Sequence, residues 1–97
     1  MTFEEIVAVI KSQAANTAPF GAKLKFVIDG NPILIDGTSG TNDVKSEDGD
    51  ADCTISTDTE SFVQLKEGSL NPMMAVMGGK VKIQGDMGLA MKLQSLI

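Results

Sequence analysis

The chain has no histidine, no tryptophan and no tyrosine, and its only aromatic residues are four phenylalanines among 97 residues. Without histidine it lacks the commonest general base and the commonest metal ligand. Cys53 is the single cysteine, so neither an internal disulfide nor a cysteine-based zinc site can form. A lone cysteine reads most simply as a small buried hydrophobe, and a reducing compartment fits it. Positive charge is scarce. Eight basic residues against thirteen acidic ones leave a net charge of −5, which argues against nucleic acid as a partner and against electrostatic docking of the whole domain on anionic membranes. No apolar run approaches the roughly 18 residues of a membrane span, so no integral membrane segment is expected. Met1-Thr2-Phe3-Glu4-Glu5 is acidic where a secretory signal is basic. Ser95-Leu96-Ile97 lacks the basic middle residue of the peroxisomal address. The expected location is the cytoplasm, and the expected organisation is one domain over 1–97.

What is present alternates between two periods. Thr2 with Glu5 forms a capping box, and Phe3, Ile6, Val7, Ile10 and Ala14 recur as one helical stripe. From Ala22 to Asp29 the period falls to two, with Leu24, Phe26 and Ile28 on one side. Asp29-Gly30-Asn31-Pro32 turns the chain into a second strand at Ile33–Ile35. Thr41–Ser46 has only Val44 to bury and is expected at an edge. Ala51–Ser56 alternates again, and together these segments predict an antiparallel meander. A second capping box, Thr57 with Glu60, predicts a helix that Gly68 stops. Asn71-Pro72 opens a short helix over Met73–Met77. A strand over Lys80–Gln84 and a last helix capped by Asp86 complete an α+β order.

That last helix is unusually apolar. At 100° per residue, Leu89, Ala90, Leu93, Leu96 and Ile97 fill an arc from about 180° to 300°, and Met87 and Met91 add positions at about 0° and 40°. Gln94 interrupts the arc, while Gly88, Lys92 and Ser95 hold the wet side. An ordinary surface helix carries a stripe of about 100°. This one must touch more than a sheet, either a ligand or a partner.

Chemical motifs fail one by one. Asp48, Asp50 and Asp52 imitate the start of a calcium loop, but Cys53 stands where it needs Gly and Thr59 where it needs Glu. Gly78-Gly79-Lys80 lacks phosphate-loop spacing and precedes a strand. Serines and a cysteine without histidine make no usual nucleophile–base pair, so no enzyme and no cofactor are implied.

The second half nevertheless resembles the sterol carrier protein 2 family. The residues that carry the resemblance are Ala51-Asp52-Cys53-Thr54-Ile55, Leu70-Asn71-Pro72, Gly79-Lys80-Val81-Lys82-Ile83 and Gly85-Asp86-Met87-Gly88-Leu89-Ala90-Met91-Lys92-Leu93-Gln94. Their order and spacing match the family from about Ala22 onward. The resemblance implies an α+β fold, a five-stranded, mostly antiparallel sheet covered by helices, with an internal apolar tunnel. It implies a non-catalytic carrier of fatty acid, fatty acyl-CoA or a similar lipid, and an alternative role as an accessory module presenting lipid to a lipid-metabolising enzyme. Mapped onto this chain, the implied lining is Phe62, Leu65, Met73, Met74 and Met77, with Met87 and Met91 from the last helix and Phe26, Ile33 and Ile55 as floor. Each reads equally well as plain core. Many relatives place Trp on the second strand and some place Gln at the position of Met91, so an acyl chain is expected here rather than a sterol. Lys92 or Gln94 at the mouth could meet a carboxylate, although solvation is the plainer reading of both. An enclosed, empty pocket of roughly 300 Å³ would cost on the order of 7 kcal/mol, much of a small domain's stability. It should therefore be filled or collapse.

Overall fold

The computed structural model describes residues 1–93. Helix α1, Phe3–Ala15, starts at the expected capping box: Glu5 N–H donates to Thr2 Oγ1 at 3.2 Å and Thr2 N–H to Glu5 Oε1 at 2.9 Å. Its stripe of Ile6, Val7, Ile10 and Ala14 is buried. The strands follow as β1 (Lys23–Ile28), β2 (Asn31–Asp36), β3 (Asp43–Lys45) and β4 (Cys53–Thr57). After helices α2 (Thr59–Glu67) and α3 (Pro72–Met77), the chain returns as β5 (Lys82–Gly85) and ends its described part in α4 (Met87–Leu93). The fold is the expected α+β arrangement, with a five-stranded sheet in the order β3-β2-β1-β4-β5.

The meander is not what forms. β1 pairs antiparallel with β2 and β2 with β3, but β4 crosses back to lie parallel to β1, with Leu24 opposite Cys53 and Phe26 opposite Ile55. Burial decides this. β1 buries Leu24, Phe26 and Ile28 and takes the centre, where it is flanked on both sides. β3 has only Val44 to bury and stays at the edge. The loop that crosses back is fixed to the opposite sheet face, where the Lys25 ammonium donates to Asp48 Oδ1 at 2.8 Å and to the Gly49 carbonyl at 3.1 Å. Asp52 then clips it to the start of β1, its N–H donating to the Lys23 carbonyl at 2.7 Å while its carboxylate accepts from Lys23 N–H at 3.0 Å.

One face of the sheet is buried by Leu24, Phe26, Ile28, Ile33, Ile35, Val44, Cys53 and Ile55. α1 packs at its β3 end, and α4 packs on β4 and β5. Cys53 is fully buried, and that burial pushes its thiol up from its ordinary value. α2 starts one residue later than the expected box. Asp58 is its cap, accepting from Ser61 N–H at 2.6 Å, because Thr57 is held in β4. Gly68 ends it in the left-handed region at φ 80° and Asn71 caps α3, both as expected. The fifth strand starts at Lys82 rather than Lys80, since Lys80 and Val81 N–H groups still close the end of α3 on the Ala75 carbonyl. No described helix is long and apolar enough to cross a membrane. The parts of the wide apolar arc assigned to the Leu93 side chain, Gln94, Leu96 and Ile97 lie outside the described residues.

Candidate functional site

A row of side chains crosses the buried face in register: Ile33 beside Phe26, Phe26 beside Ile55, Ile55 beside Ile83. Ile33, at the β2 end of this row, is fully buried in the core. Past Phe26 the cover changes. The Phe62 ring of α2 meets Phe26 edge-on, with centroids 6.5 Å apart and planes at 87°, an arrangement that favours aromatic pairs. Beyond this pair the helices do not close on the sheet. They leave a pocket of about 240 Å³ over Phe26, Ile55 and Ile83, walled by Phe62 and Leu65 and roofed by Pro72, Val76, Val81 and Ala90.

A second pocket of about 280 Å³ adjoins it, sharing Pro72, Val76, Ile83 and Ala90 and extending over Met73, Met77, Met87 and Met91. The helical repeat explains who faces it. In α3, Met73, Val76 and Met77 stand at i, i+3 and i+4, and in α4 Met87, Ala90 and Met91 do the same, so two short helices present matching faces. Met73 is 73% exposed, Met77 80%, Met87 58% and Met91 71%. Apart from Met1, every large hydrophobic side chain left exposed among the described residues lies on α3 or α4. An apolar surface gathered so tightly marks a contact site rather than scattered surface.

Eight of the residues proposed from sequence therefore border these pockets: Phe26, Ile55, Phe62 and Leu65 the inner one, Met73, Met77, Met87 and Met91 the outer one. Ile33 and Met74 do not. Ile33 is sealed on the other side of Phe26. Met74 is exposed but turned away, since a six-residue helix cannot aim all of its methionines one way. Sequence reasoning missed Thr57, Pro72, Val76, Val81, Ile83 and Ala90. The signal for Ile83 and Val81 was their strand alternation, and for Ala90 its place between Met87 and Met91. Thr57 carried no signal of this kind. The pockets also differ from the enclosed cavity expected: with its methionines so exposed, the outer one is an open groove. The cost of standing empty is thus wetted apolar surface rather than a void.

Among the described residues, the lining of both pockets holds no ionisable side chain. The hydroxyl among them, on Thr57, donates to the Lys80 carbonyl at 2.9 Å. Asp86, just outside, is occupied in starting α4, with Oδ1 accepting from Gly88 N–H at 2.8 Å and Leu89 N–H at 3.3 Å. Asp58 is likewise committed, its carboxyl held below the usual range by the Ser61 backbone and side chain. Such walls can take up an apolar chain.

The family model of the SCP-2 sterol transfer family matches residues 3–97. The chain belongs to this family. Hydroxysteroid dehydrogenase-like protein 2 of Xenopus tropicalis is 34% identical over 101 residues, covering 99% of this chain and 24% of its own length. Human Sterol carrier protein 2 is 45% identical over 64 residues, 65% of this chain and 12% of its own. The SCP-2 family chain thus spans a quarter or less of these two relatives. A solved structure of palmitated SCP2L2 from Aedes aegypti superposes with a TM-score of 0.74 at 23% identity, over 99% of this chain and 94% of that one. At that identity the likeness is one of fold.

Proposed function

We propose that this chain is a non-catalytic carrier, working in the cytoplasm as a single domain, that holds one flexible acyl chain in the two adjoining pockets. The observation that carries the reading is the exposed methionine face flanking a lining whose described residues carry no charge. The family supports it, and so does the palmitated state of the Aedes protein of the same fold. Each pocket alone is smaller than a typical small-molecule site of roughly 300 Å³, whereas the two joined exceed it. A fused-ring sterol would need a rigid slot. Methionines, with three rotatable bonds and a polarisable sulfur, suit a chain of variable shape. Burying a dozen CH₂ groups offers roughly 10 kcal/mol gross, and association and ordering costs of similar size leave near-micromolar affinity.

A second reading is favoured by one observation: the hydroxysteroid dehydrogenase-like relative is about four times as long as the segment it shares. Here the domain presents its lipid to an enzyme, as an attached or separate module.

Native mass spectrometry of the purified protein, with hexadecanoate added back after solvent extraction, tests the carrier reading. A stoichiometric, solvent-released adduct is expected. Val76 borders both pockets and is 39% exposed, so Val76→Trp should plug the groove without straining the core. Hexadecanoate affinity should fall about ten-fold or more with an unchanged circular dichroism spectrum. Equal binding by the folded variant would place the ligand elsewhere.

A further inference from the structure

We infer, resting on the carrier reading above, that the Phe62 ring is the stop that sets how long an acyl chain this protein takes. The chain enters methyl end first, and its last carbons lie against the edge-on pair of Phe62 and Phe26. The walls of the two pockets run from wet to dry. Met73, Met77, Met87 and Met91 of the outer one are widely exposed, Val76 at the junction is less so, and Ile55, Val81 and Ala90 of the inner one are buried. The methyl end gains most from dry apolar walls, while an ionised head keeps its hydration at the wet end. Phe26 and Phe62 border the inner pocket too, yet both are fully buried, so the space tapers shut at their rings. Beyond Phe26 the same row of the sheet continues to Ile33, which is fully buried and borders neither pocket.

The stop is braced from both sides. Phe26 stands in the central strand, flanked by Ile33 on β2 and Ile55 on β4. Phe62 stands in the first turn of α2, and its N–H donates to the Asp58 carbonyl at 3.0 Å. The two elements that carry the rings are tied together three residues from each ring. Asp29, three residues after Phe26, accepts at Oδ2 from the Thr59 N–H at 3.1 Å and from the Thr59 hydroxyl, and Thr59 lies three residues before Phe62. The Asp29 N–H in turn donates to the Thr57 carbonyl at 3.0 Å. Asp29 does this at φ 50°, in the left-handed region that Asp enters more readily than most residues. The ring pair is thus a fixed end wall rather than a gate that swings aside. A carbon that would have to pass it finds no further dry wall and stays in the wet groove, so length is selected by shape.

Saturated fatty acids from dodecanoate to icosanoate, in two-carbon steps, are titrated against the wild-type chain, Phe62→Leu and Ile33→Val. Wild-type affinity should rise about ten-fold per step up to a break, past which added carbons gain nothing. Phe62→Leu should move that break to longer chains, the first step past the wild-type break now gaining roughly three-fold or more. Ile33→Val removes a methyl group on the far side of Phe26 and should leave the break where it is. A second readout needs no substitution. All aromatic protons of the chain belong to phenylalanine, and hexadecanoate isotope-labelled at its terminal methyl should show nuclear Overhauser contacts to the Phe26 and Phe62 rings. A break that stays put in folded Phe62→Leu, a break that Ile33→Val moves equally, or a terminal methyl lying among the groove methionines would overturn the stop while leaving the carrier intact. Failure of every fatty acid to bind wild type would overturn the carrier reading as well.

Discussion

Two residues outside the groove hold its frame in place. Gly85 sits at φ 99°, and a Cβ there would lie 2.3 Å from the Asp52 carbonyl oxygen, where β4 and β5 meet just before α4. Gly85→Ala combines left-handed strain with a backbone collision, and about 3 kcal/mol of destabilisation is expected in urea unfolding. Asn42 serves four backbone groups at the end of α1: the carbonyls of Ala14, Thr17 and Ala18, and the Phe20 N–H. Asn42→Ala leaves the Thr17 and Ala18 carbonyls and the Phe20 N–H to find water or stay unpaired, while the Ala14 carbonyl keeps the Thr17 N–H, at about 2 kcal/mol. The carboxyls of Glu5, Asp36, Asp48 and Asp58 are all held below their ordinary values, by hydrogen bonds from Thr2, Thr38, Lys25 and Ser61 respectively. A folded-state value below the unfolded one gives stability that is full above the unfolded value and lost as pH falls through the folded one. The urea midpoint should therefore be flat from pH 7 down to about 5 and then decline. Asp58→Asn keeps a capping oxygen but no titration, and should shallow that decline without abolishing it.

At the level of elements, sequence gave up most where a local pattern had one structural answer. The α1 capping box, the Gly68 stop and the Asn71-Pro72 start all rest on neighbours within four residues and appear as read, and the period-two strands form where expected with their ends shifted by up to two residues. The meander failed because strand partners are chosen by burial across the whole chain. Nothing within Ala51–Ser56 says that it will lie beside Leu24 and Phe26 rather than beside Val44. The same limit divides the site. Methionines on the faces of α3 and α4 were legible from helical spacing, but which of them turned inward depended on how α3 docks. Ile33 was placed on the floor by the family resemblance, and it is instead fully buried and borders neither pocket. Elements tied by such non-local pairing open together. Backbone amides of β1 and β4 should therefore be the slowest to exchange in hydrogen exchange, and those of α3 and α4, resting on a groove, among the fastest.

For the molecule as a whole, ligand and stability are coupled. A chain of acyl carbons that binds the folded protein alone stabilises it by about 2.7 kcal/mol at a hundred-fold excess over Kd, a rise in Tm on the order of 10 °C for a domain of this size. Thermal scans with and without hexadecanoate check this, and Val76→Trp should lose the shift. The exposed methionines have one more consequence, for the shelf life of the protein. Thioethers in open water are the first side chains that peroxide converts to sulfoxides, and each conversion turns an oily wall polar. Met73, Met77, Met87 and Met91 border the groove, whereas Met74, on the same helix as the first two and equally in reach of solvent at 63% exposure, borders neither pocket. A bound acyl chain should slow oxidation of those four and leave Met74 to age at its own rate, so the molecule carries its own clock and its own control.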